Sequence, residues 1–422
     1  VRPYATDEIT RRYFLPALTA KIIGALAVGF IYQFYYSGGD TFNYHTHGSR
    51  HVWNALVEDP EKGLKLLIGG NNPDFSGLYK YSSKILFYGD RSSYAIIKLS
   101  AALDVITFSS YSATAILFAF FGFFGLWLFF LTFYELKPAL HKYFAIAILF
   151  VPSVVFWGSG LLKDTITLAF VGMATYATYS IFIKRSFNLR LIILLMVSLY
   201  GLYVIKIYIL LTFLPSAIAW VFSKHFNTIG SSVAKIMVLP FALTAVVSFG
   251  YLALLKASED NPKYSIQGIA KTAQITAYDI RYWTGRDAGS GYTLGELDGS
   301  WQSMFRLLPQ ALNVSLFRPY LWEVRNPLML LSSLESLLLL FFTLYTIYKT
   351  RFHFLKAFSD PTILFCFIFS LTFAFAVGVS TFNFGTLTRY KIPLLPFFML
   401  ALILTLDYSN KERKRRELAL TE

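Results

Sequence analysis

The chain has one cysteine in 422 residues, Cys366, and it lies inside an apolar run. A single thiol excludes an intrachain disulfide and leaves the redox compartment unread. Charge is also scarce: 15% of the residues are Asp, Glu, Lys or Arg, against roughly a quarter in soluble domains. Acids are the scarcer sign, 24 against 38 Lys and Arg, which leaves a net charge of +14. The sequence has no P-loop, no strand-embedded dinucleotide fingerprint, no nucleophile elbow and no paired zinc CxxC. The soluble enzyme classes built on those motifs are therefore excluded.

Apolar side chains are abundant instead: 55% of residues are hydrophobic, 18% are aromatic, and the mean hydropathy is +0.52. They come in runs of about 18–25 residues, the length that crosses a hydrocarbon core. The pattern predicts an all-α polytopic membrane protein, a single transmembrane domain over 1–422. About ten spans are expected, at 14–36, 111–134, 143–158, 162–183, 190–205, 207–223, 234–255, 328–348, 361–379 and 392–408. No small-residue cleavage site follows the first run, so it is expected to be a retained helix and not a signal peptide.

The positive charge does not point to nucleic acid, because the basic residues cluster at the ends of apolar runs. With both termini in the cytoplasm, the short basic loops fall on the inner side. So does the basic tail 408–422, whose Lys411 to Arg416 would lie on anionic headgroups. This predicts an inner or plasma membrane location with the chemistry on the periplasmic or extracytoplasmic face. Two long segments then lie outside, 37–110 and 256–327. Within the first, 44–58 and 92–108 have helical apolar spacing, with Ser92 and Ser93 as a cap for the second. Lys98 and Asp104 interrupt its apolar face, which suits a helix lying in the interface.

The most informative block is Ser37-Gly-Gly-Asp-Thr-Phe-Asn-Tyr-His-Thr-His-Gly48, directly after the first run. Ionisable groups at membrane depth are costly and functional by default. Asp40 follows two glycines that permit close approach of a ligand, and a carboxylate there can act as a general base. The competing reading makes Asp40 the N-cap of the next helix. Tyr44, His45, His47 and His51 follow. His47 and His51 have the spacing of helical metal ligands, which leaves room for a divalent metal without naming one. Interfacial histidines with no metal are the alternative.

Other polar sets fall on the same predicted side. Trp157-Gly-Ser-Gly-Leu-Leu-Lys-Asp164 forms a short turn where Ser159 and Gly160 would start a helix. The helix terminus and Lys163 would suit a phosphate group. Lys206 separates two adjacent apolar runs. Arg318-Pro-Tyr-Leu-Trp-Glu-Val-Arg-Asn-Pro327 offers Arg318 and Arg325, whose forks match phosphate oxygens, although an aromatic and basic interfacial belt explains the same residues. Arg281 and Trp283 lie in an aromatic, Gly-rich segment suited to stacking on sugars or to plain packing. Thr388-Arg-Tyr-Lys-Ile-Pro-Leu-Leu-Pro396 opens the last run and presents Arg389.

This pattern resembles the type C (GT-C) integral-membrane glycosyltransferases. Asp40 stands where that superfamily carries an acid just after the first helix, and 44–58 and 92–108 resemble its two interfacial helices. Arg389-Tyr-Lys-Ile-Pro-Leu-Leu-Pro396 resembles the Arg-Tyr-x-x-Pro-x-x-Pro entry of family-39-like members. The Gly-x-Asp-Thr-x-x-Tyr block also resembles the EpsG-like and Wzy-like polysaccharide polymerases. The family's acidic pair is incomplete, since residue 41 is Thr. The resemblance implies a polyprenyl-phosphate-linked sugar donor, a glycan, lipid or protein acceptor, and Asp40 as the base. Lys163, Arg318 and Arg389 would then converge on the departing phosphate, with Tyr44, His45, Lys206, Arg281, Trp283 and Arg325 contacting substrate. A polymerase using lipid-linked repeats shares this chemistry. A lipid-linked-oligosaccharide flippase would need a polar path through the helices, and a non-catalytic assembly subunit would need no outer-face charge.

Overall fold

A computed structural model describes residues 5–69, 77–226, 265–285 and 290–421. Among the described residues every regular element is helical, apart from one isolated antiparallel bridge between Gly291 and Asn383. The chain sorts into two compact units, Val1–Ile181 with Ser186–Ile207, and Phe182–Arg185 with Tyr208–Glu422.

The first unit contains α1 (Arg11–Phe34), α2 (Asp40–Tyr44), α3 (Arg50–Glu58), α4 (Pro60–Ile68), α5 (Tyr79–Ser82), α6 (Arg91–Thr107), α7 (Tyr111–Leu136), α8 (His141–Leu149), α9 (Pro152–Trp157), α10 (Lys163–Thr178) and α11 (Leu189–Ile205). A π-type turn over His45–Ser49 joins α2 to α3, and another over Tyr179–Ile183 extends α10. Small residues let α7 and α10 touch backbone to backbone. A Cβ on Gly125 would lie 2.3 Å from Ala169 Cα, and one on Gly172 would lie 2.3 Å from the Gly125 carbonyl. Between helices in lipid such close approach supplies dispersion energy in place of the hydrophobic effect.

The second unit contains α12 (Ile207–Phe226), counted from Tyr208, then α13 (Ile266–Gly285), α14 (Trp301–Arg306), α15 (Leu308–Phe317), α16 (Pro327–Thr350), α17 (His353–Ala357), α18 (Pro361–Ser380), α19 (Phe384–Tyr390) and α20 (Leu394–Thr421). Its core is aromatic. Trp220 stacks on Phe365 at 4.4 Å and donates to the Thr362 hydroxyl, while Phe369 meets Phe397 at 4.4 Å.

Among the described residues, six helices are long and apolar enough to cross a membrane: α1, α7, α10 with its π-type turn, α12, α16 and α18. The pair α19 and α20, bent by 64° at Lys391–Pro393, makes a seventh if it counts as one span. The protein is therefore multi-pass, and six of the ten expected spans, or seven with the bent pair, meet this test among the described residues. Segment 143–158 is two short helices, α8 and α9, because Pro152 supplies no amide and pushes Val151 to extended backbone (ψ 124°). α11 has 17 residues, about 25 Å at ~1.5 Å per residue, short of a ~30 Å core. The span expected at 234–255 lies outside the described residues. The long segment 256–327 is not simply loop: α13 to α15 occupy much of its described part.

Candidate functional site

Asp40 owes its position to the two glycines before it. Gly38 and Gly39 adopt φ of 134° and 117°, in the left-handed half of backbone space, and a Cβ on Gly39 would meet the Tyr32 ring at 2.8 Å. Gly39 therefore holds the N-cap position, and Asp40 is the first residue of α2. The reading of Asp40 as the cap gives way for that reason. Its side chain is half-buried. The next residue, Thr41, shares a hydrogen bond of 2.7 Å with the Tyr111 hydroxyl, which ties α2 to the start of α7.

Two further helix N-termini meet there. Sequence placed the cap of α6 at Ser92 and Ser93; the cap is Asp90, whose carboxylate accepts from the Ser93 amide at 3.0 Å and the Ser92 hydroxyl at 3.0 Å. Lys163, the first residue of α10, reaches across to Ser92 Oγ at 2.7 Å and Asp90 Oδ2 at 3.2 Å. Its ammonium also lies within electrostatic range of Asp40 and of Lys206. The first-unit site is thus Asp40, Asp90 and Lys163 at the starts of α2, α6 and α10. Helix starts favour negative groups there, and Lys163 offsets the carboxylates.

Asp90 has a definite pH signature. Burial pushes its carboxyl upward, but the Lys163 charge and the hydroxyls of Ser93 and Ser92 outweigh it and hold the value at about 2. The folded value lies below the ordinary 3.8, so the stabilisation is complete above the unfolded value and fades as pH falls through about 2. Chemical-shift titration of the Asp90 carboxyl should therefore show no transition between about pH 4 and 8. A midpoint above 4 would break the Asp90–Lys163 assignment.

Helix α10 starts later than the sequence suggested. Leu162 is the N-cap position, and Ser159 and Gly160 lie ahead of it. Ser159 and Gly160 are held inside: Ser159 donates back to the Val155 carbonyl, and Thr165 Oγ1 donates to the Gly160 carbonyl at 2.6 Å. Lys21, fully buried in α1, donates to the carbonyls of Val154 at 3.1 Å and Gly158 at 2.5 Å, closing the end of α9. Sequence reading overlooked Lys21 and Asp90. The signal for the first was a lone lysine in an apolar run.

Several residues assigned to substrate turn inward. Lys206 forms a buried ion pair with Asp164, the two side chains 8% and 2% exposed. Tyr44 is buried against Phe87. His45 is fully buried, edge-on to Tyr111 and 3.5 Å from Asp104 Oδ1 without hydrogen-bond geometry. Asp104 accepts from Ser49 at 2.6 Å and Thr114 at 2.7 Å. The backbone leaves helical angles at His47 (φ −99°, ψ 17°), so the regular spacing assumed for His47 and His51 is broken. Among the described residues no group of three His, Cys, Asp or Glu side chains could hold a metal ion.

Arg318, Arg325 and Arg389 belong to the second unit. The Arg318 fork is occupied by Glu323, with Nε 3.1 and 3.0 Å from the two carboxylate oxygens. Its guanidinium also packs on the rings of Tyr292 and Phe384 at 5.5 and 5.3 Å. The Glu323 carboxylate thus occupies the fork that was expected to meet phosphate oxygens. Burial pushes the Glu323 carboxyl up, but Arg318 and the Tyr320 amide outweigh it and hold it below the ordinary value. Lys391, buried at the α19–α20 bend, donates to the Arg318 carbonyl at 3.3 Å and Ser336 Oγ at 3.0 Å. Arg389 is half-buried beside the Tyr390 ring at 6.0 Å, and Arg325 is exposed. Arg281 and Trp283 fall in the last turns of α13, with side chains outside the described set. No protein-family model, curated protein or solved structure matches the chain.

Proposed function

We propose that the chain is a membrane glycosyltransferase that moves a sugar from a polyprenyl-phosphate-linked donor to an acceptor hydroxyl at the extracytoplasmic face. One observation carries this reading: a half-buried carboxylate, Asp40, stands at a helix start within electrostatic range of Lys163. Asp40 takes the proton of the acceptor hydroxyl as its oxygen bonds to the anomeric carbon. The bond from that carbon to the phosphate oxygen breaks, and the phosphate leaves with the electron pair. Lys163, displaced from or shared with Asp90, faces the charge that develops there. In this reading α2 to α6 lie at the outer interface, where a water-insoluble donor can reach them. Lipid-linked-repeat polymerisation is the same chemistry with a larger acceptor.

The experiment is transfer in proteoliposomes from a panel of polyprenyl-phosphate-linked sugars, read as release of polyprenyl phosphate. Release that requires the protein and Asp40 supports the proposal; none from any donor sinks it. The buried charges Lys21, Lys206, Asp164 and Lys391 favour a second reading, a lipid-linked-oligosaccharide flippase. Movement of labelled lipid across the vesicle without sugar transfer would select it.

The proposed orientation makes its own prediction. In a Cys366→Ser background, a maleimide that cannot cross membranes should label Asp40→Cys from outside intact cells and Arg413→Cys only after permeabilisation. Labelling of both from one side would overturn the topology.

A further inference from the structure

The second unit carries a cavity of about 500 Å³ at the C-terminal end of α16. Lys349, Arg351, His353, Lys356 and Arg413 line it, and no acid does. Glu412, beside Arg413 on α20, binds Arg415 at 3.0 Å. Arg413 donates to the Lys349 carbonyl, so α20 closes one wall while satisfying an orphan helix-end carbonyl. Nε2 of His353 is buried without a hydrogen-bond partner. Arg351 holds a positive φ of 46°, a strained backbone for a side-chain-bearing residue. A charge-poor chain has here gathered like charges around one half-open volume, an electrostatic match for an anion.

The rim says which anion. Phe352, Leu355 and Tyr348 are 87%, 75% and 71% exposed beside the cations. Apolar groups that large, next to a cluster of lysine and arginine, match an acyl chain adjoining a phosphate. We propose that this cavity binds the phosphate of an anionic phospholipid headgroup, with Phe352 and Leu355 against its chains. The site is independent of the glycosyltransferase reading.

The test uses the full chain, purified and delipidated in detergent, with native mass spectrometry as the readout. Phosphatidylglycerol should add stoichiometrically and phosphatidylcholine should not. Arg351→Gln with Lys356→Gln should weaken phosphatidylglycerol binding roughly 25-fold, about five-fold per charge removed. Lys411→Gln with Arg415→Gln, which removes equal charge outside the cavity, should leave it within two-fold of the parent. Equal binding of the two lipids, or equal loss in both double variants, overturns the proposal. Inorganic phosphate that raises thermal stability where phosphatidylglycerol does not would also overturn it, making the ligand a free anion. If the cavity variant does not fold, the parent decides: its preference for phosphatidylglycerol should shrink at least ten-fold from low to high salt, and a salt-independent preference would count against the site.

Discussion

Asp40→Asn should leave a protein that inserts and folds like the parent but transfers sugar about 10²–10⁴-fold more slowly, the usual cost of removing one positioned acid–base group. The amide is nearly isosteric, keeps the first turn of α2 and cannot accept the proton. Folding is expected to survive because Gly39, not Asp40, holds the cap position. The measurement is the rate of polyprenyl phosphate release alongside the melting temperature in detergent. Full activity would reduce Asp40 to a helix-start charge. A collapsed melting temperature would make it structural, and Asp40→Glu would then separate charge from position.

The Asp164–Lys206 pair should give the largest stability effect. Both side chains are buried, at 2% and 8% exposure, so either single change strands a charge with no solvent. Asp164→Asn or Lys206→Met should each cost about 3–5 kcal/mol, while the double variant should recover most of it, because a buried pair is often no more stabilising than an apolar replacement. The check is a double-mutant cycle on detergent unfolding. Additive losses would show that the two residues act separately. Activity gives a second readout, since Lys206 also acts on Lys163 across the site.

Length and composition made the long spans legible. α1, α7, α16 and α18 lie within a few residues of their expected bounds, because the hydrocarbon core alone dictates some twenty apolar residues. Segment 143–158 failed for a local reason, since hydropathy averaging passes over Pro152, which splits it. α11 matches its expected bounds but is short, because its apolar run stops at Lys206, whose amine turns to Asp164, 42 positions away in sequence.

The site was legible in part. Asp40 and Lys163 stood out as charges beside glycines in apolar surroundings. Asp90 was invisible because an Asp before Arg-Ser-Ser reads as an ordinary surface turn, and its ion partner is 73 residues distant. The burial of Lys206, Tyr44 and His45 was not legible, because burial is tertiary and a polar residue at an interface looks the same in sequence whether it faces outward or its own core. The Arg318–Glu323 pair was within reach of sequence reading, since the two residues are only five positions apart.

Lys21 has a consequence for biogenesis. Its acceptors, the carbonyls of Val154 and Gly158, follow 133 and 137 residues later. At a synthesis rate of about 5–20 residues per second, the first transmembrane segment waits roughly 7–27 s with an unsatisfied ammonium. A lysine at a segment's centre costs about 2.5–3.5 kcal/mol on insertion scales. α1 therefore carries this cost in the nascent chain until α9 emerges, and the hydrogen bonds that close the end of α9 relieve it only then.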